Sequence, residues 1–135
     1  MRRPRPRDDS GAAVVDFVLM SLLLVMLLLG VLQTAMYSYA RNVVAASAAD
    51  AARHVAAAGV DPATGGARAE QLIRAGLDDA DAESIHCVGG VGLDRASGLA
   101  TTTVRCTGRL RLLFLPLHIP LTIDVTSSAL KEERP

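Results

Sequence analysis

Tryptophan is absent, and two Tyr and two Phe are the whole aromatic complement. Stacking on bases or sugar rings needs aromatic faces, so nucleic-acid and carbohydrate recognition lose their usual platform. An excess of charge of either sign is also missing. The 14 basic and 14 acidic residues leave a formal net charge of zero, without the basic surplus of a nucleic-acid footprint, and no nucleic-acid partner is expected. The three histidines, His54, His86 and His118, are scattered and have no companion Ser, Cys or paired carboxylate that would suggest a triad. Gly89-Gly90-x-Gly92 follows a strand pattern but precedes a turn, where a phosphate-cradling loop would open a helix. No catalytic residue, cofactor or metal is expected, and the chain does not read as an enzyme.

What is present is a long apolar run. From Ala12 to Tyr39 the sequence reads AAVVDFVLMSLLLVMLLLGVLQTAMYSY, with Asp16 as its only charge. As a helix this stretch would extend about 42 Å, and a bilayer core of about 30 Å needs only about 20 residues. It reads as a transmembrane helix over 12–40. A cleaved secretory signal has a shorter apolar region and a small-x-small cleavage site. Arg2, Arg3, Arg5 and Arg7 precede the span and Arg41 follows it. Cytoplasmic flanks favour Arg and Lys, so the leader 1–11 is expected inside and residues 41–130 outside. Tyr37 and Tyr39 suit the outer interface, where amphipathic rings settle. Asp16 lies about one turn inside the apolar helix. A carboxylate there either reaches the headgroups or needs a partner.

The order of a basic leader, Gly11, four small or apolar residues, an acid at Asp16, an aromatic at Phe17 and then a membrane span resembles the processing region of type IV pilins. More closely, Gly11-Ala12-Ala13-Val14-Val15-Asp16-Phe17, with Tyr39-Ala40-Arg41-Asn42 and the Ala-rich stretch to Gly59, is similar to the TadE-like family. These are the pseudopilins of tight-adherence (Flp) pilus systems. The resemblance covers about residues 9 to 59. It implies cleavage by a membrane-embedded prepilin peptidase between Gly11 and Ala12, a recognition or assembly role for Asp16 followed by Phe17, and other pilins, pseudopilins and membrane lipid as partners. The family usually carries Glu where this chain has Asp16, which keeps the charge on a side chain one methylene shorter. Cleavage after Gly11 would place a new α-ammonium on Ala12, and Asp16 of a neighbouring subunit could neutralise it. Opposite charges attract strongly in low dielectric, where each alone is costly.

Helical character continues through RNVVAASAADAARHVAAA, rich in the best helix former, to Gly59 before Asp61-Pro62. At 100° per residue Val44, Ala48, Ala51 and Val55 share a narrow stripe. Asn42, Ser47, Asp50, Arg53 and His54 fall on the opposite side, where Asp50 can meet Arg53 or His54. After a loop at Asp61–Gly66, Ala69, Leu72, Ile73 and Leu77 repeat at helical spacing and predict a short second helix to about Asp78. Asp78 to Glu83 reads as a solvated acidic connector, since a calcium loop needs a longer run of oxygen ligands.

The period then changes to 2. Val104, Cys106, Gly108, Leu110, Leu112 and Phe114 alternate with Thr103, Arg105, Thr107, Arg109 and Arg111. Leu117, Ile119, Leu121, Ile123 and Val125 alternate with His118, Thr122 and Asp124, and Pro116 marks the turn between the runs. A shorter strand spans about Ser84 to Val91, and Asp94, Ser97 and Gly98 supply a turn. The expected fold is α+β and pilin-like. A long membrane-spanning helix and a short second helix accompany a three-stranded antiparallel sheet, packed on the outer half of the long helix. Residues 131–135 form a charged tail.

If strands 84–91 and 101–114 pair about the 94–98 turn, Cys87 falls opposite Cys106, beside Ile85 and Val104. A bridge there would close a loop of about 20 residues and contribute about 3 kcal/mol in the chain-entropy model. An extracytoplasmic location is oxidising enough to form it. Two buried free thiols are the other reading. A zinc site from His86, Cys87, Cys106 and His118 matches no common ligand spacing. The outward row Arg105, Arg109 and Arg111 fits either an anionic partner or a solvated sheet face that discourages edge pairing. Two functions remain: a minor pseudopilin or assembly subunit of a tight-adherence pilus in the cell membrane, and an uncleaved bitopic adaptor that holds a small binding module outside.

Overall fold

No proline interrupts the sequence between Ser10 and Ala58, and Ala and Leu dominate it, so one helix, α1 (Ser10–Ala58), forms without a break. It ends at Gly59, whose φ of +63° reverses the chain at a position that a side chain would strain. The structure is a computed structural model and describes residues 10–111 and 121–131. Residues 1–9 of the expected leader 1–11, the positions 112–120 with the expected Pro116 turn and the flanking Leu112, Phe114, Leu117, His118 and Ile119, and residues 132–135 of the expected tail 131–135 lie outside the described residues.

The chain divides into two units, Met1–Ala35 and Met36–Pro135. In the first, the α1 side chains are almost all exposed, among them Val14, Phe17, Leu24 and Leu28. This helix is long and apolar enough to cross a membrane, and none of its most apolar window is buried. An apolar helix without a protein layer over it matches lipid as its solvent. The chain thus carries a helix consistent with a single-pass membrane anchor.

The second unit starts from the remainder of α1. Ala40, Val44, Ala48, Ala51, Ala52 and Val55 are buried there, and their small volume lets other elements approach the helix closely. Ser47 is buried as well, so the expected polar side of this stretch is narrower than the periodicity suggests. Asn42, Asp50, Arg53 and His54 are exposed. Among the described residues Asp50 makes no ion pair with Arg53 or His54, since both ion pairs found lie elsewhere.

Asp61 closes the connection after Gly59, its carboxylate accepting from the Ala63 N–H at 3.0 Å and its carbonyl from the Thr64 hydroxyl at 2.7 Å. Helix α2 (Thr64–Gly76) buries Gly65, Gly66, Ala69 and Ile73. The expected acidic loop is instead a short helix, α3 (Asp79–Glu83), with Ala82 buried. Acidic residues in the first turn favour a helix N-terminus, and Ala82 supplies the apolar contact that the charge run concealed.

Strands β1 (Ile85–Leu93), β2 (Ala100–Leu110) and β3 (Leu121–Leu130) form one antiparallel sheet in the order β1-β2-β3. The β1–β2 turn carries the expected residues, with the Gly98 N–H bonded to the Asp94 carbonyl at 2.8 Å. Ile85, Cys87, Val104, Cys106, Leu110 and Ile123 face inward and join the α1 and α2 residues in one core. The other face carries His86, Arg105, Thr107, Arg109, Thr122 and Asp124, all exposed, the alternation of a sheet with one wet side. β3 runs beyond the expected 125 to Leu130, and the Lys131 N–H still bonds the Ala100 carbonyl at 3.1 Å. The α+β fold and the three-stranded meander are as the sequence implied.

Candidate functional site

Gly11, Ala12, Asp16 and Phe17 occupy the first two turns of α1. The positions from Gly11 to Met20 are all exposed, and a Cβ added at Gly11 would meet nothing within 4 Å. Phe17 keeps 73% of its surface exposed. Asp16 is exposed and has no hydrogen-bond or ion-pair partner among the described residues. Asp16 follows Ala12 by four positions, so both lie on one face of the helix, one turn apart. Gly11 stands in the first turn, whose N–H groups lack intrahelical acceptors. Unwinding that turn breaks few hydrogen bonds, and a glycine lowers the cost further. The arrangement offers a backbone segment that can be drawn out, beside a carboxylate without a partner among the described residues.

Cys87 and Cys106 lie elsewhere, in the second unit. They are directly opposite in the β1–β2 register and form a disulfide. Cys106 is fully buried and Cys87 nearly so. The bridge leaves neither thiol for a metal, and His86 is exposed on the other face of the strand. The described residues contain no group of three or more His, Cys, Asp or Glu side chains placed to hold an ion.

The outward arginines are not equivalent. Arg105 makes a two-point ion pair with Asp124, its Nε donating to Oδ1 at 3.0 Å while Nη2 donates to Oδ2. This hydrogen bonding holds the Asp124 carboxyl below its ordinary range and raises the guanidinium. Arg105 is therefore committed within the sheet. Asp94 is likewise held down by hydrogen bonds from Ser97 in the turn. Asp81 moves the other way: burial raises its carboxyl, the hydrogen bond from the Arg111 N–H opposes this, and Asp78 adds to the rise.

Two contacts have no signature in the sequence. Glu70 accepts from the Cys87 N–H at 3.0 Å, and the Tyr39 hydroxyl donates to the Gly76 carbonyl at 3.2 Å. Both depend on how α2 lies in the fold. The amide nitrogen of Gln33 is buried without a partner among the described residues.

No curated protein and no solved structure matches the chain. A family model described as TadE-like protein matches residues 11–53. The match begins at Gly11, takes in Asp16 and Phe17, and ends on the buried alanine stretch of α1. Over residues 11–53 this chain is similar to the TadE-like family.

Proposed function

We propose that this chain is a minor pseudopilin of a tight-adherence pilus, cut after Gly11 by a prepilin peptidase and incorporated through Asp16. The observation that carries the reading is the TadE-like match, which starts at the glycine before an exposed, uncovered apolar helix. In this reading the Arg-rich leader stays in the cytoplasm, α1 crosses the membrane, and the disulfide-bonded domain stands outside. A bridge between Cys87 and Cys106 fits that oxidising side. The protein is then the substrate of a peptidase and has structural work to do, with neighbouring pilins and lipid as its partners.

Asp16 supplies the assembly chemistry. After cleavage the Ala12 ammonium and the Asp16 carboxylate of one chain lie one turn apart. A neighbouring helix can exchange these pairings, so that each carboxylate meets the ammonium of the next subunit. In low dielectric such a pair disfavours every axial register that leaves a charge alone. Its contribution is to position subunits more than to stabilise them.

The test is the mass of the chain extracted from membranes that contain its own peptidase. A mature chain beginning at Ala12 supports the proposal. An intact Met1 favours the second reading, an uncleaved bitopic adaptor, for which the small outward domain on a membrane helix is sufficient.

A further inference from the structure

Cys106 has no exposed surface, and Cys87 keeps 9% of its own. Thiol–disulfide exchange needs a thiolate to reach one of these sulfurs and form a mixed disulfide. In the folded domain that route is closed, and α2 closes it on the β1 side. Gly66 of α2 lies so near the Cys87 carbonyl that no Cβ would fit between them. The Glu70 carboxylate accepts from the Cys87 N–H at 3.0 Å. That N–H points away from β2, so Glu70 stands where a neighbouring strand would supply the acceptor. Ala69 and Ile73 of the same helix share the buried core with both cysteines. The β1–β2 hairpin, by contrast, is held by bonds of its own. In its turn the Asp94 N–H donates to the Leu99 carbonyl at 2.9 Å, and the Asp94 carboxylate accepts from the Ser97 N–H at 3.1 Å and the Ser97 hydroxyl at 2.6 Å. These bonds set the register that places Cys87 opposite Cys106, and no residue of α1 or α2 takes part in them.

We propose that the Cys87–Cys106 bond is made on the open β1–β2 hairpin by a disulfide-bearing oxidant, before α2 docks, and that α2 then seals it with Glu70 as the latch. The step balances between the two reactants. One cysteine thiolate attacks a sulfur of the oxidant's disulfide, forms a mixed disulfide and expels the other sulfur as a thiolate. The second cysteine thiolate attacks the Sγ of the first, forms the Cys87–Cys106 bond and expels the remaining oxidant thiolate. The two cysteines together lose two electrons and two protons, and the oxidant gains them as a dithiol. Glu70 touches neither sulfur. It is a positioning residue, acting through the strand that carries Cys87. The order of events rests on the Met36–Pro135 unit alone and is independent of any role in a pilus.

Reduction retraces the same path in reverse, so it tests the order on the folded protein. The oxidised full chain in detergent is exposed to dithiothreitol, freed thiols are trapped by alkylation, and mass spectrometry gives the rate. Glu70→Ala removes the latch. Gly89→Ala pushes the start of α2 from β1, because its Cβ would meet the Pro62 carbonyl. Ile123→Val weakens the core on β3, which does not pair with β1. The urea midpoint of each variant is measured beside its rate. Glu70→Ala is expected to be reduced about tenfold faster than the parent, the change that follows from losing one hydrogen bond to a charged acceptor. Gly89→Ala should also be faster, and both should exceed what their midpoints account for. Ile123→Val should change only as its midpoint does. Glu70→Gln, which keeps an acceptor for the Cys87 N–H, should stay close to the parent. Reduction of Glu70→Ala or Gly89→Ala at the parent rate overturns the proposal, because the sulfurs are then reached without moving α2. Rates that follow the urea midpoint through every variant overturn it as well, since the opening is then unfolding of the whole domain and α2 is no separate gate.

Discussion

Cys87 and Cys106 face each other directly across β1 and β2, and their disulfide lies on the core side of the sheet, where Ile85 and Val104 are also buried. The bridge spans 19 residues of sequence, so in the chain-entropy model its loss costs about 3 kcal/mol. Cys106→Ala is expected to lower the chemical-denaturation midpoint by a corresponding amount. Cys87→Ala should do nearly the same, because both remove one cross-link. Neither should change the proposed cleavage, read as the mass of the membrane-extracted chain, since the bridge is far in sequence from Gly11. A midpoint unchanged in both variants would show that the covalent link adds nothing to the packing around it.

Helix α2 and strand β1 approach at two glycines. A Cβ on Gly66 would collide with the Cys87 carbonyl, and one on Gly89 with the Pro62 carbonyl. Backbone atoms cannot swing aside as a side-chain end can, so relief requires α2 to lift from β1. Gly89→Ala is expected to destabilise the domain by about 1–3 kcal/mol, the usual range for overpacking. Urea unfolding of the disulfide-intact domain is the measurement. Gly98→Ala makes a poor control because of its positive φ. Gly90→Ala, whose Cβ would make an ordinary contact with the Thr103 hydroxyl at 3.7 Å, should be much milder.

Periodicity carries the fold because each element buries one face. The stripe Val44, Ala48, Ala51 and Val55 is buried as its spacing implies, and the β1–β2 register that pairs the two cysteines follows from the position of the Asp94–Leu99 turn. Ser47 departs from the pattern because its hydroxyl counts as polar although its volume is close to that of alanine. Helix α3 is hidden in the sequence because a five-residue helix has too few positions to show a period, and its one buried residue is Ala82. The approach of Gly66 to β1 and the Glu70 bond to the Cys87 N–H are tertiary facts without local pattern. Around Gly11 and Asp16 the reverse holds. The candidate site is legible only as a spacing of residue types, and the fold adds that no described residue covers the segment.

Asp81 provides a pH test with a definite sign. Burial raises its folded carboxyl above the ordinary 3.8, so the folded state holds this proton more tightly than the unfolded state. Its contribution to stability therefore falls as pH rises from 3.8 through the folded value, and a constant penalty remains at neutral pH. Asp81→Asn keeps an acceptor for the Arg111 N–H and removes the charge beside Asp78. The variant is expected to melt slightly higher than the parent at pH 7, with the difference vanishing below pH 3.8, where the aspartate is protonated in both states. Thermal melts across that range decide it. A gain that persists at low pH would mean the charge is not its cause.

The proposed cleavage after Gly11 makes the sharpest demand on individual residues. Gly11 can leave the first turn of α1 at low cost, and its open surroundings let a protease strand lie against the backbone. Gly11→Leu adds a side chain next to the scissile bond and raises the helical propensity of that turn, so the chain should accumulate with its leader attached. Asp16 lies more than one turn past the cut, too far to join the bond-breaking chemistry. Asp16→Ala should therefore mature normally but fail to co-purify with partner pilins, because the ammonium of a neighbouring Ala12 loses its counter-charge. Asp16→Glu should do both, since the longer side chain keeps the charge and extends its reach. Mass spectrometry of the membrane-extracted variants reads cleavage, and co-purification with tagged pilins reads assembly. If Asp16→Ala blocked cleavage as fully as Gly11→Leu, the carboxylate would belong to peptidase recognition and the proposed pairing with Ala12 would lose its basis. If Asp16→Ala both matured and assembled, Asp16 would be only a residue that reaches the headgroups, and register would have to come from the apolar surface of α1 alone.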